Sequence, residues 1–177
     1  MDIKIPYYNL VNMLLLGIIF VVCVSFLQPN FAGELFAYID KYKIGETLVL
    51  VAFLATSYQI GFLISRLGSL TENLLKNEKN WKDRSLISKV FQIPWRNYSL
   101  YQDTEKLDPF VKVLSREYGL ARNSMALCVL LAIIAGVCKN WIYLWSLIGL
   151  TLLSYLATRK HARKIVDRID KNTKTKG

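Results

Sequence analysis

Four stretches of this chain contain no Asp, Glu, Lys or Arg: residues 10–27, 47–65, 123–138 and 141–158. A helix built from such a stretch has no charged face to turn toward water, so it belongs inside a large core or inside a membrane. A helix rises about 1.5 Å per residue, and roughly 20 residues cross a hydrocarbon layer of about 30 Å. The third stretch is short, but residues 118–121 can lengthen it, with Arg122 reaching out to the headgroups through its apolar stem. A chain of 177 residues has too little else to bury four such helices. The expectation is an all-α integral membrane protein with four transmembrane helices, at about 10–27, 47–66, 119–138 and 141–158, forming a single domain over 1–177.

The first stretch is longer than the apolar part of a secretory signal, and no small-residue cleavage site follows Ser25-Phe26-Leu27-Gln28. It is expected to be a retained anchor helix. Cys23, Cys128 and Cys138 lie in or at the edge of spans and form no C-x-x-C pair. Neither a disulfide framework nor a zinc site is indicated, and the thiols read as small apolar packing residues.

Charge placement sets the expected orientation. Residues 28–46 carry two lysines against three acids, and the turn before the fourth span is only Lys139-Asn140. Residues 66–117, by contrast, carry ten basic side chains, and the tail from Arg159 onward carries eight. The positive-inside rule puts the middle loop (66–118) and the tail (159–177) in the cytoplasm, and four spans bring the N-terminus there too. The expected location is a bacterial inner membrane. Arg159, Lys160, Arg163 and Lys164 are expected to hold anionic lipid headgroups, each gaining on the order of 1 kcal/mol there. The net charge of +10 invites a nucleic-acid reading. The tail has neither aromatic interleaving nor a recognisable module, so direct nucleic-acid binding is not expected.

Helical periodicity does not stop at the membrane edge. Leu63, Leu67, Leu70, Leu74 and Leu75 continue the second span, and Leu86, Ile87, Val90 and Phe91 follow before Pro94. Asp108-Pro109 has the residue types of an N-cap and a first helical position. A helix starting there runs without interruption into the third span, over roughly 43 Å. The second and third spans are thus expected to extend into the cytoplasm. On the other side, residues 33–42 carry apolar and aromatic side chains at helical spacing, as in a short helix along the outer interface. Tyr7, Tyr8, Trp141, Tyr143 and Trp145 sit where interfacial aromatic belts form.

Inside the spans, the polar run Thr56-Ser57-Tyr58-Gln59 stands out. An amide in hydrocarbon seeks a partner, so Gln59 is expected to face another helix or a pore. Two ladders of small residues recur at every fourth position: Ser57, Gly61, Ser65 and Ser69, then Ser124, Cys128, Ala132 and Gly136. Small side chains let helix backbones approach closely. One ladder is expected to pack the protomer and the other to join protomers into a homo-oligomer.

Catalytic signatures are absent from the sequence. The only histidine, His161, sits in the basic tail. No H-E-x-x-H, Gly-rich phosphate loop or G-x-S-x-G elbow occurs, and no span carries the acid that proton-coupled transport needs. No enzyme activity and no cofactor are expected. Two readings stand for the aromatic and basic residues of the cytoplasmic loop: recognition of a partner, or packing beneath the bundle against lipid headgroups. Trp95, Arg96, Tyr98 and Tyr101 are the types that dominate interfaces, and Trp81 and Arg84 extend the same face.

In size, span number and helical cytoplasmic extensions, the chain resembles small four-span bacterial membrane proteins of anti-phage defence systems, such as the Kiwa membrane subunit. The resemblance covers the whole chain as architecture and assigns no residue. It implies a membrane-embedded scaffold or sensor that binds a soluble cytoplasmic protein. The competing expectation, from the polar run and the ladders, is a signal-gated pore that depolarises the membrane.

Overall fold

The apolar stretches all become helices. In the computed structural model, residues 7–77, 93–94 and 98–174 are described. The helices are α1 (Tyr7–Leu27), α2 (Pro29–Lys41), α3 (Glu46–Leu75), α4 (Tyr98–Leu107), α5 (Pro109–Val137) and α6 (Trp141–Lys174). Between α3 and α4, β1 (Lys76–Asn77) pairs in parallel with β2 (Ile93–Pro94), in the register Lys76 to Ile93 and Asn77 to Pro94. Among the described residues, four helices are long and apolar enough to cross a membrane, within Asn9–Leu27, Glu46–Glu72, Pro109–Val137 and Trp141–Thr173.

The helix ends follow their local chemistry. Asp108 Oδ1 accepts a hydrogen bond from the Phe110 N–H at 3.0 Å, so the acid caps a helix whose first residue, Pro109, has no N–H to lose. α2 and α5 end in the same way. Ile44 N–H reaches the Ile39 carbonyl and Lys43 N–H the Asp40 carbonyl, while Asn140 N–H reaches Ala135 and Lys139 N–H reaches Gly136. That double bond closes a helix only if one residue turns left-handed, and here lysines do so, Lys43 at φ 50° and Lys139 at φ 57°.

The chain divides into two compact units. Unit 1 takes residues 1–67 and 126–151. Its core gathers Leu16, Ile64, Ala126, Leu127 and Leu131, with Phe20, Cys23, Val24, Ile60, Leu130 and Leu147 against them. α1 and α3 approach so closely that a Cβ on Gly17 would run into the Ser57 backbone carbonyl, and one on Gly61 into that of Met13. The Ser57 hydroxyl makes no hydrogen bond among the described residues, so its part in the crossing is its small size. The Gln28 side-chain amide donates to Cys138 Sγ at 3.2 Å, tying the end of α1 to the end of α5.

Unit 2 takes residues 68–125 and 152–177. Its core holds Ile93, Tyr101, Val111, Leu114, Tyr118, Ala162, Ile165 and Ile169. The basic tail has a packed face as well as a charged one. It is the last part of α6, and Thr158, Ala162, Ile165 and Ile169 are buried along one face. Spacings of four, three and four residues make that stripe, while Lys160, Arg163 and Lys164 stay exposed around it.

Candidate functional site

Buried charge concentrates in unit 2, where α3 and α5 meet. Glu72 is 4% exposed, an unusual position for a carboxylate. Arg122 Nη1 donates to its Oε2 at 2.5 Å, across 50 residues of sequence. The same guanidinium donates through Nε to Asn123 Oδ1 at 3.2 Å, and Asn123 is itself buried. Tyr118, one turn before Arg122 on α5, is buried and faces the Glu72 carboxylate. Gly68, one turn before Glu72, gives Asn123 its room: a Cβ there would stand 2.9 Å from Asn123 Oδ1. The cluster is thus a polar lock between two helices, set among apolar neighbours.

Such a pair adds less net stability than its short distance suggests. Removing both ions from water costs several kcal/mol each, which their attraction offsets only with close geometry and further hydrogen bonds. Breaking the pair from one side is costly, because it strands a buried charge. The groups are turned toward one another, and that geometry holds the two helices together.

Two lesser contacts lie between the last part of α6 and α5. His161 Nδ1 lies 3.1 Å from Glu117 Oε2 but makes no hydrogen bond among the described residues. Arg168 Nη1 lies 3.5 Å from Asp108 Oδ2, with its guanidinium 4.9 Å from the centre of the Phe110 ring. Asp108 therefore both caps α5 and receives α6.

The residues singled out by sequence fall in several places. Trp81, Arg84, Trp95 and Arg96 lie outside the described residues, and of Tyr98 only the helical backbone is described. Tyr101 is placed in the core of unit 2, 8% exposed, its hydroxyl donating to Ser115 Oγ at 2.5 Å. That position takes it away from a partner-facing surface. Ser57 and Gly61 are buried against α1, whereas Ser65 is only half-buried. Each step of four residues turns the helix about 40° past a full circle, and on α3 that drift carries Ser65 out of the contact. The buried stripe of α3 runs instead through Ser57, Gly61, Ile64, Gly68 and Glu72.

Ser124, Cys128, Ala132 and Gly136 are all half-buried, flanking the buried stripe of Asn123, Leu127, Leu131 and Ala135. A Cβ on Gly136 would meet only Leu144, at an ordinary 4.0 Å, so this ladder makes no tight crossing. The tight partner of α3 is α1, through Gly17. Arg159 is half-buried, and Lys160, Arg163 and Lys164 are exposed. Cys23, Cys128 and Cys138 are free thiols.

The ionic cluster was not among the sequence candidates. Arg122 reads as a snorkelling residue at the end of a span, and Glu72 as one polar neighbour in a helical extension. One signal does exist: following the stripe from Ser57 in steps of four, three, four and four arrives at Glu72, which marks that acid as packed.

Fold and site together define a largely helical protein with, among the described residues, four helices long and apolar enough for a membrane and a buried Glu72–Arg122 ion pair. No protein-family model, no curated protein and no solved structure matches the chain.

Proposed function

We propose that the chain is a membrane-embedded, homo-oligomeric scaffold or sensor whose cytoplasmic face holds a soluble protein partner. The observation that carries this reading is the second core. α5 and α6 do not end where their apolar stretches end. Their charged portions, with α4 and Ile93, close a hydrophobic core of their own. A helix that only anchors has no use for such a unit, whereas a docking platform needs one.

Membrane insertion is supported by what the apolar helices leave uncovered. Only 6% of the apolar stretch of α6 is buried, and Ile142, Leu152 and Leu153 stand open. In water such surface would drive aggregation, and in hydrocarbon it is matched. The basic character of residues 66–117 and of the tail favours a cytoplasmic unit 2 in a bacterial inner membrane. The resemblance to four-span subunits of anti-phage defence systems adds the class of partner, a soluble effector. This reading gives the chain no catalytic step and no cofactor.

The pore reading draws on the polar run of α3. That run divides between faces, with Ser57 buried and Thr56 and Gln59 outward, so a polar path needs several protomers around one axis. Ion flux through vesicles containing the purified protein separates the two readings. For the scaffold, the test is recovery of the partner from native membranes. Trp95→Ala with Arg96→Ala is expected to release it while membrane insertion is kept, and full retention would remove those residues from the interface.

A further inference from the structure

Gln59 is exposed on the surface of unit 1. It lies two residues beyond Ser57, a turn of roughly 200° around the helix, so it points away from the α1 crossing. Its amide has two N–H donors and an acceptor oxygen, and it makes no hydrogen bond among the described residues. Lipid tails offer none either.

The face around it has a definite form. Leu48, Ala52, Ala55, Thr56, Gln59 and Leu63 are all exposed and fall on one side of α3. Ala52 and Thr56, four apart, are small enough for another helix backbone to come close, and Gln59 follows one turn on. Close approach beside a hydrogen-bonding side chain is the combination that drives helix association in hydrocarbon.

We propose that this face receives a second copy of the chain, α3 against α3, with the two Gln59 amides bonded across the contact. The inference rests on the membrane-spanning reading and deepens its oligomer by naming the surface. A second copy is favoured because the amide is self-complementary, offering both donor and acceptor. Copies inserted in the same orientation also bring their amides to equal depth by identity. A different membrane protein would need a polar group at that one level.

The test uses full-length protein in native membranes, with Cys23, Cys128 and Cys138 replaced by Ala. Single cysteines are placed by Thr56→Cys or Leu63→Cys on the proposed face, and by Leu152→Cys or Leu153→Cys on the exposed face of α6. Mild oxidation is expected to give covalent dimers from the first pair and none from the second. Adding Gln59→Leu to Thr56→Cys should weaken association roughly 3- to 30-fold, the range measured for interhelical polar contacts in membranes. Gln59→Asn should recover part of the loss.

Equal cross-linking from both faces, cross-linking to another protein, or indifference to Gln59→Leu would overturn the inference. Alkaline carbonate extraction of the same membranes separates the two levels of failure. Release of the chain overturns the spanning reading and the interface with it, whereas retention without cross-linking overturns the interface alone.

Discussion

Adding one methyl group to Gly61 should separate two helices. The Cβ of an alanine there falls inside the van der Waals envelope of the Met13 carbonyl oxygen, and at Gly17 inside that of Ser57. Neither obstacle is a side chain that can rotate away, so the backbones of α1 and α3 must move apart. Overpacking of this kind costs about 1–3 kcal/mol. Alanine is otherwise the better helix former, by about 0.8–1 kcal/mol over glycine. The net effect at Gly17 and Gly61 is a loss, because the clash involves main chain on both sides. Gly119 and Gly149 provide the opposite sign. Both lie inside helices with nothing within 4 Å of a new Cβ, so alanine there should stabilise by up to about 1 kcal/mol.

Reversible unfolding in mixed micelles, followed by far-UV circular dichroism, measures all four variants. The labelling rate of Cys23, which packs against the unit 1 core, adds a local readout for the crossing once Cys128 and Cys138 are replaced. Gly17→Ala and Gly61→Ala together should cost less than the sum of the two, since one displacement relieves both contacts. Stability at or above wild type for Gly17→Ala and Gly61→Ala, matching Gly149→Ala, would refute the close crossing.

Two further predictions concern unit 2 and the helix ends. Glu72→Ala should cost about 3–5 kcal/mol by stranding the Arg122 charge, whereas Glu72→Leu with Arg122→Leu should recover most of that loss in the same unfolding assay. Equal losses from the single and the double variant would show that the pair is not an isolated lock. Lys43→Gly and Lys139→Gly should each stabilise by about 0.5–1 kcal/mol, because glycine adopts the left-handed helix stop without the steric cost a lysine carries. Destabilisation by either would mean that its side chain makes a contact worth more than the backbone relief.

Much of the fold is written locally in the chain. Charge-free stretches of 16–19 residues admit few structures other than helices, and Asp108-Pro109 specifies a helix start through its own atoms. The last part of α6 was less legible because its charges dominate the eye. Yet Ala162, Ile165 and Ile169 carry a helical stripe through them that any packed face requires. Other features depend on where distant helices fall. Glu72 and Arg122 are 50 residues apart, and nothing local pairs them. Gly17 has no small residue four positions away, so only the position of α3 gives it a role. Gln59 shows the same limit: it sits beside Ser57 in sequence, but the phase of α3 is set by Gly61 and Ile64, which turn Ser57 inward and the amide out.

The proposed scaffold requires four crossings that would leave unit 2 in the cytoplasm and α2 outside. Single cysteines in a cysteine-free background, Tyr38→Cys in α2 and Lys164→Cys in α6, measure this directly in intact cells with a membrane-impermeant thiol reagent. Tyr38 is 56% exposed and Lys164 is also exposed, so neither site is hidden by the fold itself. The account predicts that the cysteine at position 38 is labelled from outside and that at 164 only after the membrane is breached. Labelling of both from outside, or of 164 alone, would contradict it.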